Sequence, residues 1–227
     1  NNCTNLITLD ISSFVTGKVT SMLSMFASCS KLATIDVSKF DTSNVTNMNS
    51  MFLSCTQLAS LNLTNFDTSK VTNMSNMFSS CQNLETLNIS KFNTSNVTTM
   101  ESMFKNCKKL TTLDISHFDT RKITSMKNLF ENCEGLTSLN LDNIDTSNVT
   151  DMSYMFWMCK NLTSLNVSGL NTSKVTNMGN MFGQCRNLKT LNLNTFDTSQ
   201  VTNMFFMFFM CINLETLYVS SFNTSNV

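Results

Sequence analysis

The apolar residues of this chain recur at positions i, i+26 and i+52, and so on along its whole length. Cysteine marks the period most sharply, because it returns at every i+26 position from Cys3 onward, without insertion or deletion. Read from each cysteine, the shared pattern is C-x-x-L-x-x-L-x-[ILV]-x-x-[FIL]-[DNV]-T-x-x-[VI]-T-x-M-x-x-[ML]-F-x-x. A fixed period of this length is typical of a solenoid in which each unit forms one coil. The cysteines are Cys3, Cys29, Cys55, Cys81, Cys107, Cys133, Cys159, Cys185 and Cys211.

Within a unit, the hydrophobic pattern predicts one short strand, a turn and one short helix. Residues 34–38 of the second unit alternate polar and apolar side chains, as a half-buried strand does. Residues 41–44, Asp-Thr-Ser-Asn, predict a turn because their side chains bond the local backbone. The apolar residues of 45–55 then fall at i, i+3, i+6, i+7 and i+10, on one face of a helix of about eight residues. Thr46 stands at the expected N-cap, and Thr98 with Glu101 forms an expected capping box.

These units cannot bury their apolar sides alone, so the pattern predicts that they stack. Strands about 4.8 Å apart in eight to nine coils would form one parallel sheet roughly 40 Å long. The expected fold class is an α/β repeat solenoid, with one short parallel strand and one short helix in each 26-residue coil. The chain is read as a single solenoid, 1–227, with eight full repeats (3–210) and a partial ninth (211–227). Neither terminal unit exchanges apolar for polar positions, so packing is expected to continue, or to be capped, beyond both ends.

The regular columns of Cys and Met are interpreted as core rather than as sites of chemistry. Metal-binding spacings such as C-x-x-C are absent, so the cysteines are interpreted as buried reduced thiols, with disulfides between neighbouring coils left open. Fifteen of the 17 methionines lie in two columns, which favours gap-filling packing over a soft-metal site. No cofactor and no metal are expected.

Charge and titratable residues exclude several function classes. Formal net charge is zero and charged residues make up 13 %, which argues against nucleic acid and against an anionic membrane surface. No apolar run reaches the roughly 20 residues of a membrane span, so direct insertion is not expected. His117, the one histidine, is expected on the surface with no nucleophile beside it. A recurring Asp/Asn after the Phe column is interpreted as a turn residue rather than a calcium ligand. The chain is therefore not expected to be an enzyme.

The repeat resembles the BspA-like leucine-rich repeats, in the subtype found in mycoplasma lipoproteins and firmicute surface proteins. The segment FDTSKVTNMSNMFSSCQNLETLNIS (66–90) carries the matching elements, F-D-T-S-x-V-T-x-M-x-x-M-F-x-x-C-x-x-L-x-x-L-x-[IVL]-S, and they recur along essentially the whole chain. The resemblance implies a leucine-rich-repeat-like solenoid, displayed on the cell surface or secreted, that takes part in adhesion or in binding host proteins. It implies no catalytic residues. The Asn that follows the strand in common leucine-rich repeats is mostly Phe here, so their backbone-bonding Asn ladder and their concave geometry are not assumed.

The candidate partner site lies on the predicted helical side, in the units whose residues differ most from the repeat pattern. The sixth and eighth units carry large apolar side chains at positions that in most units are Ser, Asn, Lys or Glu, while the seventh carries two glycines. Two aromatic ridges are thus expected to flank an apolar trough that marks a partner site; cover by another part of the protein and mere sequence drift are the alternatives. The candidate partner-binding residues are Tyr154, Trp157, Met158, Gly179, Gly183, Phe205, Phe206, Phe209 and Met210.

Two functions follow from these observations. The first is a surface-exposed binding or adhesion module that recognises a host or neighbouring-cell protein or a glycan. The alternative is a structural spacer or self-assembling stalk without a ligand of its own. The strand side, with one row of Thr/Ser and one of Asp/Asn, suits a glycan or a repetitive surface and equally suits a solubilising face.

Overall fold

The computed structural model describes residues 2–227 as a stack of coils, each of which corresponds to one unit of the sequence repeat. We number coils from the cysteine that begins each one, so coil 1 begins at Cys3 and coil 9 at Cys211. Residues 2–227 form four short strands: β1 (Ser60–Asn62), β2 (Thr86–Asn88), β3 (Thr190–Asn192) and β4 (Thr216–Tyr218). β1 pairs with β2 and β3 with β4, both parallel, and the register joins equivalent positions of neighbouring coils. Residues 2–227 contain no helix long and apolar enough to cross a membrane.

The predicted strand position is confirmed in these four coils, but the predicted single continuous sheet is wrong. The strands form two separate two-stranded sheets, one in coils 3 and 4 and one in coils 8 and 9. A second line of contacts stacks the coils on another side, where isolated parallel bridges join Ser21 to Asn47 and Asn47 to Asn73. The same line recurs from Ser125 to Asn203. The coils are therefore held together on more than one side, rather than by one long sheet.

The predicted helix in each coil is wrong, because the described chain, 2–227, forms successive turns there. Two residues per complete coil have positive φ, for example Ser50 at 56° and Ser54 at 58°, which a right-handed helix does not allow. Alternate backbone amides of this segment also donate to the next coil instead of to their own. The amides of Ser50 and Phe52, for example, donate to the carbonyls of Ser75 and Met77 at 2.9 Å. The buried side chains recur every three or four positions because the turns close with i→i−3 bonds, and this spacing imitates a helical face.

The predicted caps are wrong for the same reason, since no helix begins at these positions. The Thr46 amide and hydroxyl both donate to the Thr20 carbonyl of the preceding coil, at 2.8 and 3.2 Å. Thr98 does the same towards Thr72, at 2.9 and 3.1 Å. The repeated Thr is therefore a link between coils. The turn at 41–44 is confirmed, since the Ser43 amide donates to Asp41 Oδ1 at 3.0 Å.

The predicted core columns are confirmed. Phe rings stack from coil to coil with centroids about 6 Å apart and nearly parallel planes, as between Phe104 and Phe130 (5.9 Å, 3°). The methionines of coils 2 to 7 in the two Met columns are fully buried, so they pack the core as predicted. The column members are Phe26, Phe52, Phe78, Phe104, Phe130, Phe156, Phe182 and Phe208.

A buried threonine in each of coils 1 to 8 adds a column of hydrogen bonds that the hydrophobic pattern does not reveal. The Thr94 hydroxyl donates to the Asp119 carbonyl at 3.0 Å and accepts from the Asp119 amide at 2.7 Å. Thr94 is almost fully buried, so these bonds satisfy two backbone groups that have little access to water. The same donation recurs from Thr16, Thr42, Thr68, Thr120, Thr146, Thr172 and Thr198.

Replacing Thr94 with Val should lower the free energy of unfolding by about 3 kcal/mol, because two buried backbone groups lose their partner. Thr94→Ser keeps the hydroxyl and should cost only about 1 kcal/mol for the lost methyl group. Urea unfolding followed by circular dichroism measures both. Equal losses in the two variants would contradict a structural role for the hydroxyl.

Candidate functional site

The candidate residues lie together on the turn side of coils 6 to 8, but they differ in exposure. Gly179 and Gly183 are buried, and Tyr154, Trp157 and Met158 are half-buried. The coil 8 residues are exposed by 58 % (Phe205), 49 % (Phe206), 40 % (Phe209) and 44 % (Met210). We refer to Trp157, Phe205, Phe206, Phe209 and Met210 as the aromatic surface.

The predicted open trough between two aromatic ridges is wrong, because the Trp157 ring fills it. A Cβ added at Gly183 would lie 2.2 Å from Trp157 Cζ3, so the indole rests directly against the glycine. The indole then stacks on Phe209 with a centroid separation of 6.1 Å and an interplanar angle of 9°. Gly183 is thus required for close approach, and coils 6 and 8 are joined into one surface across coil 7.

The exposed end of the aromatic surface is a cluster of stacked rings. The Phe206 ring lies 4.0 Å from that of Phe205 and 4.6 Å from that of Phe209, at interplanar angles of 22° and 21°. These contacts hold the rings against one another, yet each keeps at least 40 % of its surface in solvent. These rings belong to the last turn segment of the sequence, whose equivalents in inner coils, such as Asn180, are buried against the next coil. The coil 8 segment therefore presents a contiguous apolar patch that another protein surface can cover.

The backbone beneath the aromatic surface carries bulky residues in an unfavourable conformation. Phe206 has φ of 54° and Met210 of 53°, and in coil 6 Tyr154 and Met158 have 59° and 60°. Other coils place Ser, Asn or Gln at these positions, of which Asn in particular tolerates positive φ. A bulky residue there costs about 1–2 kcal/mol, so these four residues are retained against a conformational cost.

Arg186 lies at the edge of this region and was not identified from the sequence. Its Nη2 donates to Gln184 Oε1 at 2.9 Å, and the Gln184 amide donates to the Phe209 carbonyl at 2.6 Å. Arginine is enriched at interaction sites. In the sequence, Arg186 differs from its equivalents only in residue type, because the same position in the other units holds Ser, Thr, Gln, Lys, Glu or Ile. That difference is too small to identify Arg186 as a site residue.

The cysteines from Cys29 to Cys185 form the predicted buried column of thiols. Each thiol from Cys55 onward donates to the carbonyl of the Phe that lies 29 residues earlier in the chain, as from Cys81 Sγ to the Phe52 oxygen at 3.1 Å. Burial raises the pKa of the Cys55 thiol to about 12 and raises those of Cys81 to Cys185 well above the ordinary value. These groups are poor nucleophiles, so they hold coils together rather than react.

Alkylation should therefore spare the buried thiols of the native protein. Iodoacetamide at about pH 8 is expected to leave Cys55 to Cys185 unmodified and to modify them after unfolding in urea, as measured by peptide mass spectrometry.

The raised pKa of the buried thiols also makes the stability of the fold depend on pH. Folding favours the neutral thiol, so the contribution of each buried thiol to the free energy of unfolding is complete below the pKa of the unfolded chain. Stability should fall as pH rises from 9 towards about 12, the range between the ordinary and folded pKa of Cys55. Rapid native alkylation of Cys107 would contradict this assignment.

Several other titratable residues act locally within their own turns. Asp41 and its equivalents cap turns, and the hydroxyl and amide of Ser43 lower the pKa of Asp41. The Arg121 guanidinium lowers the pKa of Asp119 to about 2. His117 is exposed, as predicted, with its ring edge against Phe118. Across residues 2–227, no three His, Cys, Asp or Glu side chains are grouped so as to hold a metal ion.

The stacked coils and their short parallel strands define a leucine-rich-repeat type of solenoid. A leucine-rich repeat protein from Bacteroides ovatus ATCC 8483 has this fold, with a TM-score of 0.54 at 19 % identity, over 77 % of this chain and 41 % of that one. The chain thus spans less than half the length of that protein. The functional domain of InlJ from Listeria monocytogenes, described as including a cysteine ladder, matches with a TM-score of 0.25 and 16 % identity, over 97 % of this chain and 57 % of that one.

A family model described as "Mycoplasma protein of unknown function, DUF285" matches residues 1–62, 54–162 and 124–227. The chain belongs to this family. No curated protein matches it in sequence.

Proposed function

We propose that this chain is a non-enzymatic binding module that docks a protein partner on the aromatic surface. The observation that carries the proposal is the cluster of exposed, mutually stacked rings in coil 8, where Phe206 and the adjoining Met210 stand at positive φ. Four large apolar side chains in solvent and strained backbone both cost free energy in the isolated chain. A partner that covers these side chains would offset that cost.

The partner proposed is a protein with an apolar surface of its own. Trp157 and Phe209 form a stacked centre. Phe206 adds a further aromatic ring stacked on Phe209, and Met210 adds a flexible apolar side chain. Arg186 at the edge supplies a cation for a polar rim. Buried aromatic anchors with a nearby arginine are the usual source of binding energy at protein interfaces.

We further propose that the module belongs to the BspA-like surface subtype, and that it is displayed on the cell or secreted to bind a host or neighbouring-cell protein. The leucine-rich-repeat fold and the family model support a binding or structural role of this general kind. The second candidate, a self-assembling stalk, would use the same exposed rings, with another copy of the chain as the occupant.

Replacing Phe206 with Asn should stabilise the chain by about 1 kcal/mol, because Asn tolerates positive φ. The same change should weaken partner binding about 30-fold, since an aromatic anchor is lost. Binding to immobilised matrix proteins, mucin and intact epithelial cells measures affinity, and urea unfolding measures stability. Val15→Asn, at an exposed position in coil 1, is the matched control and should bind as the unmodified chain does.

Saturable binding that Phe206→Asn removes while the fold becomes more stable would support the proposal. Equal binding by Phe206→Asn would place the contact elsewhere. Absence of binding to every target would overturn the proposed adhesion. A concentration-dependent rise in mass in sedimentation, abolished by Phe206→Asn, would instead favour the stalk.

A further inference from the structure

The strand side of the solenoid carries a groove that is separate from the aromatic surface. Three neighbouring depressions follow one another along the stack and share lining residues. The first spans coils 3 to 5 and shares Leu87 and Thr112 with the second; the second shares residues 138–140 with the third. The third is the largest, about 610 Å³, and lies over coils 6 to 8. Together they form a continuous strand-side groove that crosses successive coils.

The largest depression of the groove lies where strand pairing is interrupted. The Leu63 amide donates to the Asn88 carbonyl at 3.1 Å between β1 and β2, and the Leu193 amide to the Tyr218 carbonyl at 2.9 Å between β3 and β4. Coils 5 to 7 lie between these pairs and contain no strand in the described part of the chain. The largest depression opens over coils 6 and 7 and extends to coil 8, with Leu139 and Leu165 on its floor.

Asn140 and Asn192, which line the largest depression, present amide donors to the groove. Asn140 Oδ1 accepts from the Asp142 amide at 2.9 Å, and Asn192 Oδ1 accepts from the Asn194 amide at 3.0 Å. Because the oxygen is used in this turn, the Nδ2 group of each side chain points away from it with two donors. Hydroxyls of Ser164 and Thr190, which both donate and accept, lie in the same lining. The groove therefore offers repeated hydrogen-bonding groups above an apolar floor.

Tyr218 ends this row with an aromatic ring. In the register of β3 and β4 it stands directly beside Asn192, which lines the largest depression. Its side chain is 48 % exposed, so the ring is accessible next to the amide row. An exposed tyrosine combines a flat apolar face with a hydroxyl, which suits the C–H face and polar rim of a sugar ring.

Charge restricts the class of ligand. The lining of the three depressions includes the carboxylates of Asp114 and Asp142 and one ammonium group, that of Lys189. Such a lining is nearly neutral and does not attract a polyanion. Each coil also repeats similar groups at the same position, which suits a polymer with a repeating unit.

We propose that the strand-side groove binds a linear neutral polysaccharide, with Tyr218 stacking against one sugar ring and the amides of Asn140 and Asn192 donating to sugar oxygens. The hydroxyl row supplies further donors and acceptors along the polymer. This site is distinct from the protein-binding aromatic surface, so either function stands without the other.

Affinity electrophoresis and calorimetry with dextran, yeast mannan and a soluble β-1,3-glucan test the proposal, with heparin as a charged comparison. At least one neutral polymer should retain the chain, with little dependence on salt. Tyr218→Ala should weaken this retention about fivefold through loss of the stacking contact. Phe206→Asn should leave it unchanged, which separates this site from the aromatic surface.

The double variant Asn140→Asp/Asn192→Asp removes the amide donors and keeps the turns. Coils 1, 2 and 5 already carry Asp at this position, and Asp10, for example, accepts from the Ser12 amide at 2.9 Å. This variant should fold normally and lose affinity, whereas Asn161→Asp, an exposed position outside the groove, should not. Failure of all three neutral polymers to bind, retention insensitive to Tyr218→Ala, or binding of heparin alone would overturn the proposal.

Discussion

Replacing Phe104 with Ala should lower the free energy of unfolding by about 3–5 kcal/mol. Phe104 is fully buried, and its ring stacks on Phe78 and on Phe130, each at 5.9 Å. Truncation leaves a cavity in the middle of a column and removes two aromatic contacts, so neither neighbour can fill the space without giving up its other partner. Urea unfolding followed by circular dichroism measures the change.

The matched control for Phe104 is Phe205→Ala, at a phenylalanine that is 58 % exposed. That variant should change the free energy of unfolding by less than about 0.5 kcal/mol. A stack of coils unfolds through neighbour contacts, so the Phe104 variant is also expected to broaden the transition if the coils on its two sides separate. Equal stability of the two variants would show that the Phe column does not form the core.

Replacing Gly183 with Ala should expel the Trp157 ring from its place on coil 7. The new methyl group would lie 2.2 Å from Trp157 Cζ3 and 2.4 Å from Cε3, far inside van der Waals contact. The indole must therefore leave its stack with Phe209, at a cost of about 1–3 kcal/mol. Trp157 is the one tryptophan of the chain, so its fluorescence emission should shift to longer wavelength as the ring enters water.

Gly169→Ala is the control for Gly183, because a methyl group there meets only the Asp142 carbonyl, at 3.8 Å. Its emission and stability should match those of the unmodified chain. Partner binding should fall in Gly183→Ala and persist in Gly169→Ala, since only the former breaks the aromatic surface. Unchanged emission from Gly183→Ala would mean that the indole does not rest on the glycine in solution.

The sequence predicted the core of this protein well because the core consists of columns in which each residue packs against its equivalents in the neighbouring coils. Each buried column repeats the same or a similar residue type at intervals of 26, so the positions of Phe104, Met77 and Cys81 follow from the period alone. Local turn chemistry was equally readable: Asp41 accepts from the amide of Ser43, as a turn-forming Asp should. Both features depend on a short segment or on an identical neighbouring coil.

Secondary structure and the shape of the site were harder to predict, because both depend on where hydrogen bonds go. The spacing of Val45, Met48 and Met51 fits one helical face, and it fits equally a run of i→i−3 turns. Hydrogen bonds between coils decide between the two: the amide of Ser50, for example, donates to a carbonyl of the next coil instead of to one in its own coil. Likewise Trp157 and Gly183 belong to different coils, and nothing local indicates that the indole lies over the glycine.

By itself, the sequence determined the coil length, the stacking of like on like, the buried Phe, Met and Cys columns and the unusual apolar residues of coils 6 and 8. The tertiary structure alone decided that the coils turn instead of forming helices, that the strands pair in two places and not in one sheet, and that the trough is filled. The physical reason is that apolar residue types indicate which positions are buried, and this can be read from the sequence. Hydrogen-bond partners and ring positions, in contrast, depend on how neighbouring coils lie against one another.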